Sequence, residues 1–99
     1  MPAMGANVPK SELDRRYRAL VSAWLQEIME RRGWNKTHLG EALGRDRATA
    51  SRYLSGKVRA PLQQLTYLDR QFRERVPREV EDAFWASEGI PEALGTKAG

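Results

Sequence analysis

The sequence has no cysteine and a single histidine, His38. Disulfide frameworks, thiolate zinc sites and thiol nucleophiles are thereby excluded. A catalytic or metal site built from several histidines is equally out of reach. No stretch approaches the ~20 consecutive apolar residues of a membrane-crossing helix. The opening residues, MPAMGANVPK, have neither the charged start nor the apolar core of a secretory leader, so the expected address is cytoplasmic. Carboxylates are present, but Glu12, Asp14 and Glu27 form no convincing acid–base pair. The expectation is a protein with no catalytic residues, no cofactor and no metal.

What is there is charge, unevenly placed. The 99 residues suffice for one domain, which at this length buries roughly 60–65% of the surface of its unfolded chain. Lys and Arg number 17 against 13 Asp and Glu, a formal net charge of +4. Residues 1–44 hold seven bases and five acids, and residues 60–99 hold five bases and seven acids. Between them, Arg45, Arg47, Arg52, Lys57 and Arg59 face one acid, Asp46, so this short window carries a net +4. A local excess of this kind marks a contact surface for a polyanion.

Hydrophobic spacing is helical throughout. Residues 1–10 have two prolines, one glycine and no apolar period, and read as a flexible arm. Ser11 and Asp14 resemble a capping box opening helix 1. Leu13, Tyr17, Leu20, Val21, Trp24 and Ile28 then share one face of that helix to about Arg32, where Gly33 stops it. Trp34 is placed to fold back on its last turn. Asn35 caps a second helix, Lys36 to Leu43, and Asp46 caps a third, Arg47 to Leu54 or Ser55. Pro61 suits the first turn of a fourth helix bearing Leu62, Leu65, Leu68 and Phe72, and Pro77 the start of a fifth bearing Val80, Ala83 and Phe84. No segment reads as a strand. The expected fold is a compact all-α, five-helix domain without a β-sheet. Its expected divisions are the arm at 1–10, a main helical unit at 11–73, a helical extension at 74–94 and a disordered tail at 95–99.

The most informative stretch is KTHLGEALGRDRATASRYLSG, Lys36 to Gly56. Two short helices meet there through Leu43, Gly44, Arg45 and Asp46. Gly40 offers almost no side chain where the second helix must approach the first, and Gly44 can take the positive φ of a tight corner. Leu39 and Leu43 face Ala50 and Tyr53 at spacings that lock the pair. This segment resembles the helix-turn-helix of the Cro/CI-type (Xre-like) DNA-binding family, with its lambda-repressor-like fold. The matching positions are Leu39, Gly40, Leu43, Gly44, Ala50, Tyr53 and Gly56, and the similarity extends over about residues 12–72. Arg45 departs from the small apolar turn residue usual in the family, and Ala50 is smaller than usual.

The resemblance implies a sequence-specific regulator of transcription, a bacterial or phage repressor binding double-stranded DNA with its third helix in the major groove. By matching position, Arg47, Ala48 and Arg52 read bases, with Thr49 and Ser51 near the same face. Arginine is chemically suited, because its fork bonds both O6 and N7 of guanine. Lys36 and Thr37 then contact phosphate, as do Arg45, Ser55, Lys57 and Arg59 along the edge. Such proteins pair as two-fold dimers on palindromic operators. Phe72, Val76, Val80, Phe84 and Trp85 supply the apolar surface for a homodimer interface, unless the last helix packs back on the first. A rival reading is an antitoxin or adaptor whose C-terminal helices, residues 72–94, clasp a partner protein such as a toxin or anti-repressor. RNA binding is a weaker reading, for want of exposed aromatics to stack on bases.

Overall fold

A computed structural model describes residues 8–89; the expected tail at 95–99 and all but the end of the expected arm lie outside them. The first helix, α1 (Lys10–Arg32), is the long one, and its apolar stripe buries Tyr17, Val21, Trp24, Leu25 and Ile28. Its start differs from the expected capping box. Pro9 occupies the N-cap without a side-chain bond, so Lys10 is already helical and Ser11 lies inside the first turn, where it cannot cap. Asp14 is spent instead on Arg18, at 2.8 Å, and on Arg59. At the other end the Trp34 N–H donates to the Met29 carbonyl at 3.0 Å and turns the chain back.

Four shorter helices follow: α2 (Lys36–Ala42), α3 (Arg47–Ser55), α4 (Leu62–Phe72) and α5 (Arg78–Ser87). The Asn35 and Asp46 side chains cap α2 and α3, as expected from their places before each helix. Pro61 and Pro77 occupy the N-caps of α4 and α5 with extended backbone. The end of α4 is less ordinary. Arg73 closes it in the left-handed region at φ 60, a conformation costly for a residue with a Cβ. Among the described residues there is no strand, and no helix is long and apolar enough to cross a membrane.

The helix α1 runs through the core and packs against α5 and α3, while α2 packs against α3 and α4. One cluster holds the interior, joining the α1 stripe to Leu39, Leu43, Ala50, Tyr53, Leu65, Leu68 and Val80. This settles where α5 puts its apolar face, and it corrects the expected dimer interface. Val80 is 1% exposed, and Phe84 meets Tyr17 edge-on with ring centroids 5.4 Å apart. Phe72 packs edge-on against Trp34 at 5.1 Å, and Val76 lies against the same core. Folding α5 onto its own α1 takes Val80 and Phe84 from water, and Phe72 and Val76 are partly covered beside them, all without a second chain. Of the five, only Trp85 stays well exposed, at 41%.

A buried carboxylate fastens the α4–α5 connection to the end of α1. Glu74, 6% exposed, accepts from both terminal nitrogens of Arg31, at 3.0 and 3.1 Å, and from Nε of Arg32. The Arg31 hydrogen bond, with help from Arg32, holds the Glu74 carboxyl below its usual range despite burial. Arg32 also donates to the Phe72 carbonyl at 2.8 Å.

Candidate nucleic-acid interface

The corner between α2 and α3 follows from backbone contact. A Cβ on Gly40 would lie 2.6 Å from the Asp46 carbonyl oxygen and 3.1 Å from the Arg47 nitrogen. Only glycine lets the two helices come this close. The turn is closed by two hydrogen bonds, Gly44 N–H to the Glu41 carbonyl at 3.0 Å and Arg45 N–H to the Gly40 carbonyl at 2.7 Å. Gly44 has φ 74, as a left-handed helix stop requires. Leu39, Leu43, Ala50 and Tyr53 are all buried beneath the corner. Asp46 accepts the Thr49 N–H at 2.9 Å, and its carboxyl is held below its usual range by hydrogen bonds from Thr49.

The helical period then decides what α3 presents. Residues 47, 48, 51, 52 and 55 fall within an arc of about 140° on a helix of 3.6 residues per turn. Arg47, Ala48, Arg52 and Ser55 on that arc are exposed, and Ser51 is half-buried. Thr49 points the other way with Ala50 and Tyr53, and at 6% exposure it is not available as a base reader. The expectation for Thr49 is therefore corrected; its signal was the shared inward spacing with Ala50 and Tyr53.

The cations around this face differ in how they are held. Lys36, at the start of α2, leans over α3 and donates to the Ser51 hydroxyl at 3.4 Å. Thr37 is exposed in the same first turn, and Arg45 and Lys57 are exposed on the turns that flank α3. Among the described residues, Arg45, Arg47, Arg52 and Lys57 make no ion pair. The Ser55 hydroxyl donates to the Arg52 carbonyl at 3.1 Å, which leaves its lone pairs rather than its proton outward. The expectation for Arg59 is overturned. Its guanidinium donates to Asp14, Ser87, Glu88 and the Phe84 carbonyl, so it faces inward and not toward a phosphate.

Of the residues that hold this surface in place, Arg18, Ser22 and Gln64 were not singled out from the sequence. The Arg18 guanidinium donates to the Gly56 carbonyl, and the Ser22 hydroxyl donates to the Leu54 carbonyl. Both satisfy carbonyls at the C-terminal end of α3 and anchor it to α1. The Tyr53 hydroxyl donates to Gln64 at 2.6 Å, tying α3 to α4, and burial pushes its phenol up. The Tyr17 hydroxyl donates to the Ala60 carbonyl at 2.5 Å. His38 completes the cap of α2, its Nδ1 accepting the Asn35 N–H at 3.2 Å while Asn35 accepts the His38 N–H at 2.9 Å. An Asn followed three residues later by His was the available signal for that reciprocal cap.

No family model, no curated protein and no solved structure matches the chain.

Proposed function

We propose that this protein binds double-stranded DNA sequence-specifically and regulates transcription, with α3 in the major groove. One observation carries the reading. On the outward arc of α3, Arg47 and Arg52 are exposed and free of ion pairs among the described residues, beside an exposed Ala48. The helix is braced by α1, α4 and the glycine corner, so these side chains are offered from a rigid support. A rigid helix with free arginine forks at its exposed face suits reading of guanine edges. Lys36, Thr37, Arg45 and Lys57 border the same face and supply phosphate contacts.

In this reading the protein is a repressor that occupies operator DNA, and two copies on a palindromic site provide the specificity that one domain lacks. Selection of bound sites from a random duplex library tests it. Recovery of one sequence motif, arranged as an inverted repeat, is expected. Recovery of unselected sequence at physiological salt would refute sequence-specific binding. Exposed Trp85 favours a second reading, in which α5 docks a partner protein and DNA binding serves autoregulation.

A further inference from the structure

The segment joining α3 to α4 divides its side chains sharply. Lys57 and Val58 are exposed, whereas Ala60 is 1% exposed and Arg59 turns into the molecule. One nitrogen of the Arg59 fork donates to the Ser87 hydroxyl at 2.5 Å and to Asp14 at 3.3 Å. The other donates to Glu88 at 2.5 Å and to the Phe84 carbonyl at 3.4 Å. The guanidinium plane also lies over two rings, 4.8 Å from the centroid of Tyr17 and 4.5 Å from that of Phe84. Ser87 is 2% exposed and itself donates to the Phe84 carbonyl. A single arginine thus joins the first half of α1, the last turn of α5 and the chain leaving α3.

That placement is chemically specific. The last turn of α5 carries the negative end of the helix dipole, which a guanidinium answers, and the Phe84 carbonyl it reaches also accepts the Glu88 N–H at 3.1 Å. A lysine ammonium is a point charge; it cannot bridge α1 and the end of α5 and stack on two rings at once. Two residues before Arg59, Lys57 is held at the end of α3, its N–H donating to the Arg52 carbonyl at 3.1 Å.

We infer that Arg59 is a positioning residue through which the seating of α5 sets the placement of the Lys57 turn and, with it, the affinity of α3 for DNA. The inference rests on the DNA-binding reading above. It gives α5 a part in binding that needs neither a DNA contact nor a second chain.

The test compares Arg59→Lys, Glu88→Gln and Glu74→Ala with the parent, using amide exchange at Lys57 and titration of duplex DNA over a range of salt. Far-UV circular dichroism at the working temperature ensures that each variant is folded. Arg59→Lys and Glu88→Gln are expected to speed exchange at Lys57 and to lower DNA affinity about five- to tenfold, as for an ordinary coupling between sites. For Glu88→Gln the loss runs against electrostatics, since removing an acid otherwise tightens binding to a polyanion. Glu74→Ala loosens the far end of α1 and the α4–α5 connection but leaves the Arg59 contacts at the last turn of α5 in place, and is expected to change both readouts clearly less than Arg59→Lys. Full affinity and an unchanged salt slope in Arg59→Lys would overturn the inference, because positive charge alone would then suffice. So would an equal loss in Glu74→Ala, which would signify general loosening. Absence of salt-dependent DNA binding in the parent would refute the functional reading instead, and exchange at Lys57 would then decide the coupling by itself.

Discussion

Arg31, Arg32 and Arg59 carry the same guanidinium as Arg45, Arg47 and Arg52, yet the two sets are used in opposite ways. The first set is consumed internally. Glu74 takes Arg31 and Arg32, while Asp14 and Glu88 take Arg59 along with a hydroxyl and a carbonyl. The second set surrounds one acid, Asp46, whose carboxylate is already committed to capping α3. Its cations are left to water, or to a ligand. Net charge alone does not distinguish these cases. What distinguishes them is whether the fold brings a carboxylate within reach.

The largest expected effect removes the presentation of the free set without touching any charge. Gly40→Ala forces a methyl group onto the Asp46 backbone and is expected to cost about 3 kcal/mol, the upper part of the range for overpacking. Urea denaturation measures it. A cost below about 1 kcal/mol would show that the corner yields without the strain expected of a packed site.

Next is the consumed set. Glu74→Ala is expected to destabilise by about 2 kcal/mol, below the range for fully buried pairs because Arg31 remains half-exposed and can hydrate. The pH dependence has a definite sign. The folded state holds the Glu74 carboxyl below its usual 4.5, so its stabilisation is present above that pH and is lost as pH falls through the lowered value. Melting temperatures measured between neutral and acid pH should fall less steeply in Glu74→Ala than in the parent. Parallel curves would remove Glu74 from the acid response.

The smallest effect on stability belongs to the free set. Lys57→Ala is expected to shift unfolding by less than about 0.5 kcal/mol, as for an unpaired surface residue. It should nevertheless flatten the log–log dependence of DNA affinity on salt by about one. A loss of stability instead would move Lys57 into the consumed set.

Much of the architecture was legible in order along the chain. The α1 stripe, the caps Asn35 and Asp46, and the close approach at Gly40 are local signals, written within one or two turns of helix. Long-range choices were not legible. Arg59 finds Asp14 and Arg31 finds Glu74 across more than forty positions of sequence, and no spacing rule announces such pairs. Val80 and Phe84 show the same limit in apolar form. An amphipathic helix has the same pattern whether it packs on its own chain or on a copy, and here it packs on α1. Thr49 is the exception to the long-range rule, since its signal was local: its spacing to Ala50 and Tyr53 turns it inward on a helix that starts at Arg47. The left-handed stop at Arg73 had no glycine to mark it.

The central claim is that the outward arc of α3 reads DNA through arginines that the fold itself does not use. Its most direct measurement is the affinity of the parent, Arg47→Ala and Arg52→Ala for the selected duplex and for single-base variants of it, with melting temperatures taken alongside. Each substitution should cost ~1–3 kcal/mol on the selected site and relax preference at one base position, while stability stays within about 0.5 kcal/mol. Equal affinity of all three proteins for every duplex would contradict the account.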